Sequence, residues 1–219
     1  MVNFTKRMRI KYDDLWQKSL NHPFIEQLAE GNLDKKAFRY YLIQDYYYLA
    51  HFSKIYDLIV QTTEDDELRC FFEQASRNFE NGEKAIRQHF FEELLITTNE
   101  IETVPIAPTA YHYVSHIYRN FYTEAISVTL AALLPCPWLY FEISSRLIHQ
   151  HSPEAIYQRW IEAYSGDEIE QQITKLCQII DFHAQKANES ELKAMEESFK
   201  ISSQLELDFW QMALSQEQW

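Results

Sequence analysis

Three glycines, Gly31, Gly82 and Gly166, serve a chain of 219 residues. That is roughly a fifth of the ordinary usage of ~7%. Hairpins, tight strand turns and phosphate-cradling loops need positive φ angles, which glycine adopts at least cost. A sheet protein of this size would be hard to close with so few. Long helices joined by few loops fit, and the expectation is an all-α bundle. The length suits one domain over residues 1–219, and the 46% of hydrophobic residues is enough for a sizeable core.

The charge balance narrows the partners. Lys+Arg 20 against Asp+Glu 33 leaves −13. Such a field repels phosphate backbones and anionic lipid headgroups, so neither nucleic acid nor a membrane is the expected partner. The N-terminal run Met1 to Arg7 lacks the apolar stretch of a signal peptide. The most apolar segment, Ala125 to Phe141, is short and interrupted by Pro135 and Pro137; it reads as a core helix. Three cysteines, Cys70, Cys136 and Cys177, lie far apart with no CxxC pair. They indicate neither a disulfide framework nor a zinc site, and the expected compartment is the reducing cytoplasm.

Helix signals recur along the chain. Residues 10–30 read as helix broken near Asn21-His22-Pro23, and Gly31 ends it. Asp34 caps a helix to about Gln61 that is apolar on nearly every side, hence central and buried all round. A helix is expected from Asp65 to about Ile96, then a loop over 97–108. Further helices are expected at about Thr109–Asn120 and Tyr122–His149, the second interrupted by its two prolines. Ser152-Pro153 reads as a cap with a first-turn proline, Gly166-Asp167 as a stop and restart, and Ser190 as cap of the last helix, to about Leu214.

Three residues could carry chemistry. Cys136 stands between Pro135 and Pro137. An interior proline costs ~3 kcal/mol or more and pushes the residue before it from helical geometry. Cys136 would then sit near the start of a renewed helix, where the dipole favours a thiolate; the alternative is an inert cysteine beside a kink. Asp45 has Tyr41, Leu42, Tyr48 and Leu49 as helical neighbours. Either tyrosine hydroxyls satisfy it, or it binds an amidine-like edge such as a pyrimidine's ring nitrogen and exocyclic amine, with aromatic walls stacking on the ring. Glu206 shares a face with Ser202, Phe209 and Trp210. Burial there would raise its pKa toward acid–base use; the alternative is a surface glutamate. His112 and His116 are spaced as metal ligands can be, but no histidine has glutamate three residues before it, so the di-iron pattern is missing. No GxSxG, P-loop or GxGxxG occurs.

These motifs together resemble the thiaminase II (TenA) family. The stretches that carry the likeness are Phe38 to Leu49, Pro108 to His116, Ala131 to Cys136, Trp160 to Asp167 and Ser202 to Trp210. The resemblance implies a haem-oxygenase-like bundle without haem, cofactor or metal, usually a homotetramer. It implies hydrolysis of 4-amino-5-aminomethyl-2-methylpyrimidine to the hydroxymethylpyrimidine plus ammonia, and cleavage of thiamine into pyrimidine and thiazole halves. It further implies Cys136 as nucleophile, Glu206 as acid/base and Asp45 as pyrimidine anchor, with Tyr48, Tyr113, Tyr140, Tyr164 and Phe209 lining the pocket. The chain departs from relatives at Gln204 and Leu205, which bears on pocket shape, and at Pro137 after Cys136. The rival readings are a metal-dependent oxidase on the same fold, using His112 and His116, and a non-catalytic pyrimidine-binding or regulatory protein.

Overall fold

The computed structural model describes residues 3–78 and 84–219, and the side chains of all of these except 84–87. The described residues form helices and no strands. In chain order these are α1 (Phe4–Lys11), α2 (Asp13–Leu20), α3 (Pro23–Glu30), α4 (Lys35–Thr62), α5 (Asp66–Asn78), α6 (Lys84–Glu93) and α7 (Thr98–Thr103). They are followed by α8 (Pro108–Thr123), α9 (Ile126–Leu133), α10 (Pro135–Leu147), α11 (Ala155–Ala163), α12 (Asp167–Lys186) and α13 (Glu189–Ser215). The glycine argument holds: the chain is all-α.

The centre is built from α4, α8, α9, α10 and α13. Helix α13 packs most extensively on α9 and also meets α4, α8, α2, α10 and α3. Leu130, Ala131, Ala132, Leu133 and Leu134 are wholly buried, so the most apolar segment is indeed core. Phe199, Met195 and Trp210 of α13 are equally enclosed; each such side chain contributes about 1.5–3 kcal/mol when removed from water.

The punctuation explains the boundaries. Pro23 opens α3 while His22 Nδ1 accepts the Phe24 amide at 3.2 Å. Gly31 closes α3 at φ 75°, and a Cβ there would lie 2.6 Å from Pro153 Cγ, so only glycine fits both the turn and the contact. Asp34 caps α4 through the Lys36 amide at 2.9 Å. The Asp181 carboxylate receives the Thr5 amide at 2.9 Å and its hydroxyl at 3.1 Å. A carboxylate on α12 thus satisfies an orphan donor in the first turn of α1.

Several boundaries differ from expectation. The expected helix over 10–30 is α1, α2 and α3, beginning already at Phe4. The one expected from Asp65 to about Ile96 corresponds to α5 and α6, with 79–83 and Gly82 outside the described residues. Helix α7 occupies part of the expected loop, capped by Thr97 through the Glu100 amide at 3.2 Å. Helix α8 runs to Thr123 before the extended Glu124 breaks it. Ser152 does not cap: its hydroxyl donates to the Leu28 carbonyl at 2.9 Å, an orphan acceptor at the end of α3. Asn188, not Ser190, caps α13 by accepting the Glu191 amide at 3.0 Å. Helix α4 is central but not buried all round, since Tyr46 and Ala50 are exposed.

Candidate active site

The prolines around Cys136 act together. Pro135 takes the first position of α10, and Pro137 the third. Amides there have no intrahelical acceptor, so their loss costs little. Leu134 keeps right-handed helical angles, φ −65° and ψ −39°, and α9 runs into α10 with only a bend. Cys136 is therefore helical, contrary to expectation, because Pro137 lies in the first turn, where it is tolerated. The expected position near the start of a renewed helix is correct. The stock of free amides is smaller than expected, because both prolines remove one.

Helical spacing aims the remaining groups. Cys136 and Tyr140 are one turn apart on α10, Asp45 lies between Tyr41 and Tyr48 on α4, and Glu206 precedes Phe209 and Trp210 on α13. Packing of α4, α10 and α13 brings these three faces together, and α8 adds Tyr113. The Tyr113 hydroxyl donates to Glu206 Oε1 at 2.6 Å, and the Cys136 thiol hydrogen-bonds the same carboxyl group. Asp45 is close enough for its charge to act on both Glu206 and Tyr140.

Burial sets the electrostatics. Glu206 is 2% exposed, and its pKa is pushed up to about 8. Burial is the main cause and the Asp45 charge adds to it, while the bonds from Tyr113 and Cys136 pull the other way. Tyr48, Tyr113 and Tyr140 are all held well above the usual phenol range, first by burial and then by the surrounding acidic groups. They remain neutral donors at any working pH. Around them the aromatic rings interlock: Tyr48 and Tyr113 at 4.6 Å between centroids, Tyr140 and Tyr164 at 4.9 Å, Tyr140 and Trp210 at 5.1 Å.

A cavity of about 430 Å³ reaches this cluster from outside, passing Phe71 and Tyr56. Asp45, Cys136, Pro137, Tyr140 and Tyr164 front it. Glu206, Tyr48, Tyr113 and Phe209 do not; they stand behind that wall, with Tyr48 and Phe209 in contact at 5.9 Å. Of the departures from relatives, Gln204 is exposed and bonds Asp208 at 2.8 Å, and Leu205 is core. Neither touches this cavity; Pro137 does. Sequence reasoning missed Gln44, wholly buried beside Asp45, which donates to the Pro105 carbonyl at 3.0 Å and accepts the Ala107 amide at 2.9 Å. It fixes α4 to the start of α8. It also missed Trp160 and Tyr41, uncharged residues behind Tyr140.

The two histidines are not a pair. His112 is exposed, whereas buried His116 faces Asn120 at 3.2 Å and Ser198 at 3.4 Å. Burial lowers its pKa to about 4. Among the described residues no group of three His, Cys, Asp or Glu side chains could hold a metal ion. None of the three cysteines forms a disulfide: Cys70 is exposed, and burial pushes the Cys177 thiol up to about 12.

Comparison with known proteins identifies the family. A model of the TENA/THI-4/PQQC family matches residues 9–216. The aminopyrimidine aminohydrolase of Bacillus subtilis (strain 168) is 35% identical over 218 residues, covering 100% of this chain and 92% of the relative. Its counterpart in Halalkalibacterium halodurans is 28% identical over 220 residues, covering 100% and 98%. The solved structure of a TenA homologue from P. horikoshii OT3 superposes with a TM-score of 0.88 at 27% identity, covering 98% of this chain and 99% of that one. The chain belongs to the TENA/THI-4/PQQC family.

Proposed function

We propose that the protein is an aminopyrimidine aminohydrolase of thiamine salvage. It hydrolyses 4-amino-5-aminomethyl-2-methylpyrimidine to the 5-hydroxymethyl compound plus ammonia, and cleaves thiamine into its pyrimidine and thiazole halves. The observation that carries the reading is Cys136, which fronts the cavity with Asp45 and is backed by the Glu206 carboxyl to which it hydrogen-bonds. Cys136 is the nucleophile, Glu206 the acid and base, Asp45 the pyrimidine anchor. Tyr140 and Tyr164 contact the ring, and Tyr48, Tyr113 and Phe209 support the wall.

The chemistry follows from the groups. Glu206 stands at about 8, so its ionised fraction near neutral pH is a base strong enough to take the Cys136 proton as the sulfur attacks, leaving a neutral glutamic acid beside it. Direct displacement of an amine from a methylene is slow. Instead the thiolate adds to the pyrimidine ring, whose protonated form Asp45 holds and polarises. Ring electrons then expel the amine, which takes the Glu206 proton and departs as ammonia. The resulting exocyclic methylene accepts hydroxide from a water whose proton returns to Glu206. The ring regains aromaticity as the C–S bond breaks, and the pair is restored.

The same reading includes one domain over residues 1–219, a cytoplasmic setting and a homotetramer. Exposed aromatic side chains, among them Tyr46, Tyr111 and Tyr122, support the last. The direct test is ammonia release from the aminomethylpyrimidine, with chromatographic identification of the hydroxymethyl product. Turnover with that product supports the proposal; binding without ammonia release would make the protein a pyrimidine-sequestering one.

A further inference from the structure

The cavity carries charge at both ends, and the reaction at its inner end uses only one of them. Asp45 stands at the inner end beside Cys136 and Tyr140, and Glu168 stands with Gln172, one turn along α12, at the other. Asp45 is 3% exposed, whereas Glu168 and Gln172 are open to solvent and also line the groove outside, so they mark the mouth. Among the described residues, Asp45 and Glu168 are the only charged side chains on the wall; no lysine, arginine or histidine fronts the cavity. Between the two ends the wall is apolar, formed by Leu49, Phe52 and Tyr56 of α4, Phe71 of α5, and Ile173 and Leu176 of α12. Phe52 and Tyr56 pack ring on ring at 5.0 Å.

The inner end is closed, because Glu206, Tyr48, Tyr113 and Phe209 stand buried behind it. A group carried on the methylene of a bound pyrimidine therefore points outward. In the aminomethylpyrimidine that group is a single nitrogen. In thiamine it is a thiazolium ring with a hydroxyethyl arm. An aromatic and aliphatic sleeve suits a flat cationic ring, since ring faces attract cations and apolar walls cover its carbon and sulfur. The arm then ends at the mouth, against Glu168. An alcohol there can donate to the carboxylate. A phosphate ester there sets a second negative group against the first, with no cation on the wall to offset it. The N-terminus of α12 would attract an anion, but Asp167, Glu168 and Glu170 in its first turn already complement its dipole. Lys175, two turns along α12, is paired with Glu67.

We propose that the outer part of the cavity is a subsite for the leaving half of thiamine, and that Glu168 makes it selective, accepting the free alcohol and rejecting phosphate esters of thiamine. This rests on the function proposed above. The aminomethylpyrimidine has nothing that reaches the mouth, so its hydrolysis does not depend on Glu168. Phosphate esters of thiamine must lose their phosphate in a separate hydrolysis before this protein can cleave them.

Cleavage of thiamine and of thiamine monophosphate, compared in kcat/KM, tests it, with ammonia release from the aminomethylpyrimidine as reference. Wild type should prefer thiamine by about tenfold or more. Glu168→Lys puts a cation where the phosphate would end and should shrink that preference by about tenfold, while ammonia release stays within about twofold. If that variant does not fold, Glu168→Gln removes the charge alone and should shrink the preference by about threefold. Equal use of the two compounds by wild type, an unchanged ratio in the variant, or ammonia release altered as much as thiamine cleavage would overturn the subsite. If wild type releases ammonia but cleaves neither thiamine compound, the same ratios are read from their inhibition of ammonia release. A wild type that releases no ammonia defeats the proposed hydrolase instead; the ratios are then read from calorimetric binding of the two compounds. Equal affinities there, or no binding of either, overturn the subsite as well.

Discussion

Replacing Glu206 by glutamine should stabilise the protein, and by an amount that depends on pH. The ordinary pKa of 4.5 rises to about 8 in the folded chain. Between those values the unfolded chain has released a proton that the folded chain retains, so stability falls as pH rises. The slope is about 1.4 kcal/mol per pH unit. At pH 4 both states are protonated and the glutamate costs nothing. At pH 7 it costs about 3 kcal/mol relative to a neutral side chain of the same shape, and beyond pH 8 the cost levels off near 5 kcal/mol. Glutamine keeps an oxygen for the Tyr113 hydroxyl, now bonded at 2.6 Å, so little packing is lost. In a domain of this size 1 kcal/mol moves Tm by about 2–4 °C. Glu206→Gln should therefore melt about 6–12 °C above wild type at pH 7 and within a degree or two of it at pH 4. Calorimetric scans from pH 4 to pH 9 measure the gap. A gap that does not change with pH, or a less stable variant at pH 7, would refute the argument that burial holds this carboxyl protonated.

Three further outcomes follow from the same groups. Asp45→Asn should weaken calorimetric binding of the hydroxymethylpyrimidine by about 1.5–3 kcal/mol, while Glu206→Gln changes it much less; the reverse order would mean the two roles are exchanged. In turnover, Glu206→Gln should slow ammonia release by roughly 10²–10⁴-fold, and thiamine cleavage by a smaller factor, since the thiazole nitrogen leaves neutral without a proton. Equal losses on both substrates would contradict Glu206 as proton donor to the leaving amine. Light scattering at micromolar concentration should give about four times 26.3 kDa, and a clean monomer would remove the tetramer.

Much of the fold was legible because it was written in local signals. Glycine scarcity excluded sheets, and Gly31 with Asp34 marked the start of α4. Errors arose where two local signals competed. Asn188 and Ser190 are both capping residues, and Asn188 prevails with its side chain on the Glu191 amide. Ser152 looked like a cap, but a carbonyl from a distant helix claims its hydroxyl. Two prolines promised a kink, yet both fall in the first turn of α10, where they are tolerated. The candidate site divided the same way. Asp45, Cys136 and Glu206 stood out as charge or sulfur in apolar helices, but only the family resemblance joined them before the structure did. Trp160, Tyr41 and Gln44 carry no unusual local chemistry. Their significance lies in hydrogen bonds to residues distant in sequence, which periodicity does not encode.

The central claim is covalent catalysis by Cys136, and ammonia release by the serine variant tests it most directly. Serine keeps the size of the side chain but offers no accessible anion at neutral pH and is a far weaker soft nucleophile. Cys136→Ser should lose nearly all activity on the aminomethylpyrimidine. Cys70→Ser, at an exposed site, and Cys177→Ser, at a thiol held near 12, should retain it. A folded Cys136→Ser protein that keeps more than about a tenth of the wild-type rate would contradict the account, since an acid–base site alone would then suffice.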